Sequence, residues 1–533
     1  MKTRSLPQLA SRTRLYADPA NVFVHDAILA ACRRHGERTA LVDASCCRRI
    51  TYAEYGQIVE SLGRGLVAAG ITPGEVVAIF LPNCWEFCAA YHASTLAGAV
   101  PTLLNPTYRE REVRHQLRNS RAVMLITDQL NIAGVDLAGL ADLRTIYCIR
   151  EQGSGSKLFS DLLKPVSAKL PGADRDSQDM LAALPYSSGT TGMPKGVMLS
   201  HFNLVANVYQ LLGANAVRFL AADNILCFLP LYHIYGLNVI LNPVLMAGAK
   251  LILMPRFNVS QLAGLLVEES ISMMPLVPPA MNALCLAAEA GEFPENHEVR
   301  WVKSGAAPLP PDLPRRFTAL TGILVRQGYG MTEASPVTHL GFLEPELYRP
   351  DSIGHPVAQT DCMMMAEEDG ETNADVGQAG ELVMRGPQFM RGYWNDPDAT
   401  AAVLRDGWYW SGDIVTRDSG GFYRVVDRLK EMIKYKGFPV APAEVEAVLL
   451  EHPAVRECGV VGCRHADAGE IPVAFVALRD GFRTCQKLED ELCAFVAERL
   501  THYKQPREVH FIDSVPKTAS GKILRRELRK LVS

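Results

Sequence analysis

The chain has 533 residues, of which 48% are hydrophobic and 21% are charged, and its formal net charge is −4. This is the composition of a folded globular protein, and the absence of a basic excess argues against a nucleic-acid-binding protein. The 13 cysteines are scattered without a C-x-x-C motif, which argues against structural zinc and indicates a reducing compartment.

Strands and helices are predicted to alternate along the first two thirds of the chain. Helical periodicity is present at residues 86–96 and 259–269. Short apolar runs predict buried strands at residues 77–81, 123–126, 145–148, 225–228 and 251–253. This alternation predicts an α/β fold in which parallel-rich sheets are covered by helices.

The pattern of the sequence changes near residue 360. Short strands at 381–384 and 421–426, separated by Gly and Asp turns, predict a β-rich subdomain over about 360–429. We therefore predict an N-terminal domain of residues 1–429 and a small C-terminal α+β domain of residues 430–533. The elements predicted for the latter are helices at 443–450 and 488–500 and strands at 455–461 and 473–478.

Residues 224–249 contain no Asp, Glu, Lys or Arg and are numerous enough to span a bilayer. Pro230, His233, Asn238 and Pro243 interrupt them, and helix breakers and polar groups are costly in lipid. We therefore predict a buried core segment with a pocket wall, and no membrane span. The N-terminus lacks the apolar core of a secretory signal, so a cytoplasmic protein is expected, with an Arg-rich mitochondrial transit peptide as the alternative.

Residues 187–196 combine four hydroxyl side chains, three glycines and Lys195. Glycines let backbone N–H groups turn towards a phosphate, hydroxyls donate hydrogen bonds to it, and lysine supplies positive charge. The spacing is not that of a Walker A loop. Taken alone, the segment is either a phosphate-binding loop or a flexible Ser/Gly turn.

Five segments in order resemble those of the adenylate-forming enzymes, which include acyl- and aryl-CoA synthetases, peptide-synthetase adenylation domains and firefly luciferases. Residues 233–235, 302–308 and 434–438 are most similar to 4-coumarate–CoA ligases. The five segments are residues 187–196, 327–333, 409–413, 427–430 and 520–522, and the resemblance extends from about residue 20 to 530. It implies an acid–thiol ligase that forms an acyl-AMP from ATP, Mg²⁺ and a carboxylic acid, and then an acyl-CoA thioester.

The resemblance implies a set of nucleotide-binding residues. In this set Tyr329 offers a flat face for adenine, Asp413 can accept two ribose hydrogen bonds, and Arg428 is a rigid fork of donors. The residues implied to bind ATP or AMP are Ser187, Ser188, Gly189, Thr190, Thr191, Lys195, Gly305, Ala306, Ala307, Gln327, Gly328, Tyr329, Thr332, Asp413, Arg428, Lys430, Lys434 and Lys522.

Catalytic roles are implied for five residues. Lys522 would contact both the acid's carboxylate and the α-phosphate and offset the repulsion between these anions. Thr332 would donate to the α-phosphate, and Glu333 would hold Mg²⁺, which prefers oxygen ligands. His233 would guard the carboxylate from water, and Lys434 would contact the adenylate.

The implied acid pocket is lined by apolar and small residues, which leave room for a flat or extended apolar body. This predicts an aryl, arylacrylic or medium-chain acid. Amino-acid-activating relatives carry an acidic residue in this region to pair with the substrate ammonium, but residues 224–267 contain no Asp or Glu. The pocket residues are Tyr235, Val239, Gly328, Gly330, Ser335, Pro336 and Val337.

Binding of coenzyme A is implied for Arg256, Lys436 and Gly437, which rotation of a mobile C-terminal domain about Lys430 would bring to the adenylate. Pro439 stands where relatives usually carry Gln, so one polar contact is lost. The basic pair favours free CoA. Transfer to a carrier protein and luciferase-like oxidation of the adenylate stay open, as do a monomer and a homodimer.

Overall fold

The computed structural model describes residues 15–150, 153, 155–172, 176–187, 194–214, 219–310, 312–342, 344–366, 373–436, 438–465, 467–518 and 521–532. Up to residue 214, short strands alternate with helices. In chain order these elements are α1 (Val24–His35), β1 (Thr39–Asp43), β2 (Arg48–Thr51), α2 (Tyr52–Ala68), β3 (Val76–Phe80), α3 (Trp85–Leu96), β4 (Val100–Leu103), α4 (Glu110–Ser120), β5 (Ala122–Thr127), α5 (Gln129–Ile132), β6 (Thr145–Cys148), β7 (Lys157–Leu158), β8 (Leu181–Ala183), β9 (Tyr186–Ser187), β10 (Lys195–Gly196), β11 (Leu199–Ser200) and α6 (His201–Gly213).

The remaining elements complete three larger sheets. They are β12 (Asn224–Cys227), α7 (Asn242–Ala247), β13 (Lys250–Leu253), α8 (Val259–Glu268), β14 (Met273–Leu276), α9 (Pro278–Glu289), β15 (Trp301–Ser304), α10 (Asp312–Thr321), β16 (Leu324–Gly330), β17 (Val337–Leu340), β18 (His355–Pro356), β19 (Asp361–Ala366), β20 (Ala379–Arg385), α11 (Pro397–Val403), β21 (Leu404–Arg405), β22 (Trp408–Arg417), β23 (Tyr423–Arg428), β24 (Ile433–Tyr435), β25 (Phe438–Val440), α12 (Pro442–Leu450), β26 (Val455–His465), β27 (Gly469–Leu478), α13 (Gln486–Ala497), β28 (Glu508–Phe511) and α14 (Arg525–Arg529).

Two sheets of the first 360 residues are mainly parallel, as predicted. One has the order β4-β3-β5-β6-β7, and all its pairs are parallel. Every residue of β3 is buried, which is typical of a strand covered by helices on both faces. The other has the order β18-β17-β16-β15-β14-β12-β13-β1-β2, with a parallel centre and antiparallel edges. The α/β expectation is confirmed.

The nine-stranded sheet positions the candidate site. Strands β15 and β16 are parallel neighbours, so their carboxyl ends meet at one edge of the sheet. The chain turns between β16 and the antiparallel β17, and that turn contains residues 331–336. Open α/β sheets bind ligands at such an edge, outside the carboxyl ends of their strands.

The β-rich region forms an antiparallel sheet of β19, β20, β22, β21 and β23. The pairing of β22 with β23 places Asp413 opposite Arg428. After Lys430, β25, β24, β27, β26 and β28 form another five-stranded sheet, packed with α12, α13 and α14. The apolar clusters of this last region draw their buried members from residues 433–528 alone, so it has a core of its own.

Most of residues 224–249 belong to the buried core. They form β12, a π-helical turn at Gly236–Leu241 and α7, and Pro243 occupies the first turn of α7, where no helical N–H is lost. No helix in the described part of the chain is long and apolar enough to cross a membrane.

Candidate active site

The Glu333 carboxylate joins three segments at the edge of the nine-stranded sheet. It lies in a 3₁₀ turn at Thr332–Ala334, and it is buried. Its Oε1 accepts hydrogen bonds from Ser187 Oγ at 3.1 Å and from Tyr393 OH at 2.9 Å. A buried carboxylate bonded to Ser187, at the start of the predicted phosphate loop, suits Mg²⁺, which completes its coordination with phosphates and water. The described residues contain no cluster of three or more metal ligands.

Asp413 is the centre of a second polar group. Arg428 Nε lies 3.0 Å from Asp413 Oδ1, and Tyr329 OH donates to Asp413 Oδ2. Burial and the neighbouring carboxylate raise the pKa of Tyr329 well above its usual value, so its phenol stays neutral and remains a donor. Three of the residues predicted to bind nucleotide, from β16, β22 and β23, therefore meet at one point.

Lys522 lies in a tight turn near the end of the chain. Its N–H donates to Thr518 Oγ1 at 3.1 Å, and its carbonyl accepts from the Thr518 N–H at 2.8 Å. Burial, followed by the positive charge of Arg428, lowers the pKa of Lys522 to about 8, whereas the Asp413 carboxylate acts in the opposite direction. Lys522 thus lies within electrostatic range of Asp413 and Arg428.

The turn that carries Lys522 packs closely on helix α9. Gly521 has a φ of +85°, which favours glycine. A Cβ at this position would lie 2.7 Å from Cγ of Pro279. The turn can therefore sit this close to α9 only with glycine at residue 521.

A buried carboxylate connects the sheet that ends at Arg428 to the C-terminal region. Asp427 accepts the Arg428 N–H at 2.7 Å through Oδ1 and the Ala443 N–H at 2.8 Å through Oδ2. Ala443 lies in the first turn of α12, where backbone N–H groups lack helical partners. Farther along α12, both carboxylate oxygens of Glu446 accept hydrogen bonds from Arg525 Nη2 at 2.8 Å, so this helix also holds the segment that follows Lys522.

The residues predicted to bind CoA do not lie together with Asp413 and Arg428. Lys434 and Lys436 are exposed, and the Lys434 N–H donates to Glu470 Oε2 at 2.9 Å. Lys430 and Lys434 line an open cavity of about 700 Å³ with Arg464. Arg256 is exposed in the loop after β13.

Some of the predicted acid-pocket residues lie near the carboxyl ends of β15 and β16. Tyr235 OH donates to the carbonyl of Lys303 at 3.2 Å, and a Cβ at Gly305 would lie 3.5 Å from the Tyr235 ring. A Cβ at Gly330 would lie 2.0 Å from the Pro336 carbonyl oxygen, so this turn excludes larger residues. Val239, Ser335, Pro336 and Val337 are buried, and a Cβ at Gly328 would lie 2.7 Å from Cε of Lys303, so glycine leaves room for this lysine.

His233 is neutral in this environment. Burial lowers the pKa of its imidazole to about 4. Its Nδ1 lies 3.2 Å from the Tyr235 N–H and accepts that hydrogen bond. The proton of the neutral ring therefore belongs on Nε2, which makes this atom a donor.

Lys303 is a buried cation that the sequence interpretation missed. Its side chain runs along Gly328, and its Nζ has no hydrogen-bond partner among the described residues. Burial lowers the pKa of Lys303 to about 7. The buried hydroxyls of Ser304 and Ser335 also lack partners within the described ranges. A lysine inside an apolar strand was the available signal, because lysine is rarely buried without a reason.

A chain of buried hydrogen bonds runs from α2 to Ser335, which is predicted to line the acid pocket. It starts with Tyr55 OH and His92 Nδ1 at 2.6 Å, followed by His92 Nε2 and Asn242 Oδ1 at 2.9 Å. Asn242 Nδ2 donates to Asn238 Oδ1 at 2.8 Å, and Asn238 Nδ2 donates to the Ser335 carbonyl at 2.6 Å. These residues come from four separate segments, so no local pattern in the sequence could indicate that they act together.

Some predicted residues have other positions or lie outside the described structure. Lys195 Nζ lies 3.1 Å from Asp396 Oδ2, Gln327 donates to the Pro350 carbonyl, and Ala306 and Ala307 follow β15 at the carboxyl edge. The predicted roles of all the site residues stay predictions. The predicted site residues that lie outside the described structure are Ser188, Gly189, Thr190, Thr191 and Gly437.

Comparison with known proteins identifies the family. The model described as AMP-binding enzyme matches residues 28–394, and that of the AMP-binding enzyme C-terminal domain matches residues 444–522. The chain belongs to the AMP-binding, or adenylate-forming, enzymes. Members of this family use ATP, Mg²⁺ and CoA, and this member is an acyl/aryl-CoA ligase that releases AMP.

Individual relatives of this adenylate-forming enzyme match nearly its whole length. It is 38% identical to 4-coumarate–CoA ligase 1 of Solanum tuberosum, over 96% of this chain and 94% of that protein. It is 38% identical to 4-coumarate–CoA ligase of Pinus taeda, over 92% of each chain. A benzoate CoA ligase from Burkholderia xenovorans LB400 superimposes with a TM-score of 0.84 and 26% identity, over 95% of this chain and 100% of that one. An anthranilate CoA ligase in complex with anthranoyl-AMP gives a TM-score of 0.85 at 25% identity, over 98% of each chain.

Proposed function

We propose that this enzyme joins an aryl, arylacrylic or medium-chain carboxylic acid to free CoA by way of an acyl-AMP. The observation that carries this proposal is the position of Lys522, whose ammonium lies within the electrostatic influence of Asp413 and Arg428. A cation there can serve an acid and a nucleotide phosphate together, because the residues predicted to line the acid pocket include Gly328 and Gly330 of β16, the strand that also carries Tyr329.

In the first step, one oxygen of the acid's carboxylate attacks the α-phosphorus of ATP, and the bond to the β-phosphate oxygen breaks, releasing pyrophosphate. The Lys522 ammonium offsets the repulsion between the two anions, and Thr332 donates a hydrogen bond to the α-phosphate. Asp413 and Arg428 hold the ribose, and Tyr329 stacks on adenine. Glu333 would hold Mg²⁺, which supplies charge neutralisation to the phosphates.

The pocket favours an acid that is mainly apolar but carries a polar group. Tyr235, Val239 and Val337 supply apolar wall, whereas the Lys303 ammonium and the Ser335 hydroxyl are buried without partners in the described structure. A ring hydroxyl or another acceptor on the acid would satisfy such groups, whose burial is otherwise costly. The 4-coumarate named for several relatives is an acid of this kind.

In the second step, the CoA thiol attacks the acyl carbon and AMP leaves. Lys430 acts as the hinge, and residues 430–533 rotate so that Lys434 and Lys436 replace Lys522 at the site. Arg256 and Lys436 are exposed and form no ion pair within the described residues, so both can bind the phosphates of CoA. A phosphopantetheine arm on a carrier protein lacks the 3′-phosphate, which makes free CoA the preferred acceptor.

The proposal is tested by incubating the protein with ATP, Mg²⁺, CoA and a panel of aryl, arylacrylic and medium-chain acids. We expect AMP and an acyl-CoA with at least one acid. Parallel reactions replace CoA with a loaded carrier protein, or supply luciferin and record light. No AMP with any acid would reject the proposal, and transfer only to the carrier protein would reject the choice of CoA.

A variant tests the central residue. Lys522→Ala should lower adenylate formation by about a thousandfold while ATP still binds, because a buried charge contact to the transition state is lost. Lys487→Ala removes an exposed lysine of the same C-terminal region and serves as the control. Equal rates of adenylate formation in the two variants would remove Lys522 from the mechanism.

A further inference from the structure

A second cationic cavity lies on helix α4, outside the residues assigned to ATP, acid and CoA. Its volume is about 480 Å³. The residues that line it all come from this one helix: Arg111, Arg114, His115, Arg118 and Asn119. Positions three, four and seven apart lie on one face of a helix, so these side chains point to the same side.

The positive charge of this cavity is largely uncompensated. Arg114 contacts Asp136, with Nη1 3.7 Å from a carboxylate oxygen. Arg111 and Arg118 are exposed and form no ion pair within the described ranges. Like charges four residues apart destabilise a helix, and the whole chain is negative, so this local excess of cations is not a consequence of the composition. A bound anion would remove the repulsion.

Hydrogen bonds connect helix α4 to the chain on both sides of the predicted phosphate loop. His115 Nε2 lies 3.2 Å from the carbonyl of Pro194, just before β10. Tyr186 OH, in β9, donates to Asn119 Oδ1 at 2.6 Å. Trp394 Nε1 donates to the Asn119 carbonyl at 3.1 Å. The last turn of α4 is therefore fixed against the strands that enter and leave residues 188–193.

We propose that this cavity is a second anion site, which binds a ligand carrying two phosphates. Guanidinium groups match phosphate oxygens in pairs, and three of them along one helix face suit two linked or neighbouring phosphates. The proposed reaction offers two sources of this chemistry, the released pyrophosphate and the 3′,5′-ADP portion of CoA. Only the identity of these sources rests on the proposed function, because the anion site itself stands on the helix geometry.

The test is a calorimetric titration of the full-length protein with the adenylate site occupied by Mg²⁺ and ATP and with no acid present. Inorganic pyrophosphate and 3′,5′-ADP are titrated in separate experiments. The Arg111→Gln/Arg118→Gln variant should bind one or both at least about tenfold more weakly than the unaltered protein. Arg33→Gln/Arg34→Gln, which removes the same charge from the exposed side of α1, should change the affinity by less than about twofold.

The outcomes separate the sources. Weaker binding of pyrophosphate alone assigns the site to the leaving group, and weaker binding of 3′,5′-ADP alone assigns it to CoA. If neither anion binds, or if both variants bind equally well, the second anion site is rejected. Failure of the proposed function has a different signature, the absence of AMP in the acid panel, so the two results are distinguishable.

Discussion

Gly521 lies so close to Pro279 that the two positions cannot both carry a full side chain: a Cβ on Gly521 would be 2.7 Å from Cγ of the proline. Gly521→Ala should therefore push the turn of Lys522 away from α9. We expect adenylate formation to fall at least about tenfold, equivalent to about 1.4 kcal/mol in the barrier. Thioester formation from a supplied acyl-AMP should change little, since Lys522 serves only the first step. Separate assays of the two half-reactions provide the measurement.

Gly481 supplies a matched control for this variant. It also has a positive φ, +90°, but a Cβ there would meet nothing within 4 Å. Gly481→Ala thus imposes the backbone strain without the contact to α9, and it should leave adenylation nearly unaltered. Pro279→Ala combined with Gly521→Ala should restore part of the rate. If Gly481→Ala and Gly521→Ala lowered the rate of adenylate formation equally, backbone strain alone would explain the loss.

Asp427 is expected to stabilise the orientation in which Lys522 is at the site. Asp427→Ala removes the acceptor of the Ala443 N–H, and the loss of a helix cap costs about 1 kcal/mol. If Lys430 is the hinge, this cost falls on one domain orientation only, so adenylation should slow about fivefold relative to thioester formation. The ratio of the two half-reaction rates is the measurement.

Thr51 caps α2 far along the chain from the hinge and provides the comparison for Asp427. Its hydroxyl accepts the Glu54 N–H at 3.2 Å. Thr51→Ala should lower the stability to unfolding by a similar amount without altering the ratio of the two rates. A change in that ratio for Thr51→Ala, or none for Asp427→Ala, would contradict the predicted role of Asp427.

The pH dependence of adenylation should report Lys522. Its pKa is lowered to about 8, chiefly by burial, and its charged form exists below that pKa. kcat/KM, which reflects the free enzyme, should therefore fall as the pH rises through about 8. The corresponding fall of kcat should occur at higher pH, because bound phosphates favour the charged form of Lys522. Lys522→Arg should be slower but should lose this alkaline limb, and an unaltered limb would assign it to another group.

Lys303 should influence which acid is accepted. Lys303→Met keeps most of the side-chain length but removes the buried amino group, whose pKa is lowered to about 7 by burial. Activity with a ring-hydroxylated arylacrylic acid should fall relative to the unsubstituted acid by about tenfold, the value of one lost charged hydrogen bond. The ratio of kcat/KM for the two acids is the measurement. An unchanged ratio would show that the Lys303 ammonium does not meet the substrate.

The regular elements could be predicted from the sequence because their signals are local. The strand expected at 77–81 is β3, Val76–Phe80, and the helix expected at 86–96 is α3, Trp85–Leu96. The helix expected at 488–500 ends earlier, at Ala497, and a separate 3₁₀ turn at His502–Lys504 follows it. Hydrophobic periodicity does not fix such ends.

The site was harder to predict because its contacts are not local. The family motifs indicated Lys522 and Asp413, but nothing nearby in sequence shows that the turn of Lys522 packs on Pro279. The π-helical turn at Gly236–Leu241, which contains Val239, has no sequence signature. Lys303 would be taken for a surface residue unless the strand on either side of it is known to be buried.

Because Ser335 is predicted to line the acid pocket, the buried chain from Tyr55 to Ser335 is expected to give the N-terminal helices a part in substrate choice. The Ser335 carbonyl is held through His92, Asn242 and Asn238, none of which needs to touch the acid. Grafting the pocket-lining positions of a relative onto this scaffold would therefore transfer the relative's preference incompletely. Substitutions at His92 and Asn242 should also change the preference of this enzyme among acids. A sequence comparison limited to the pocket would overlook them.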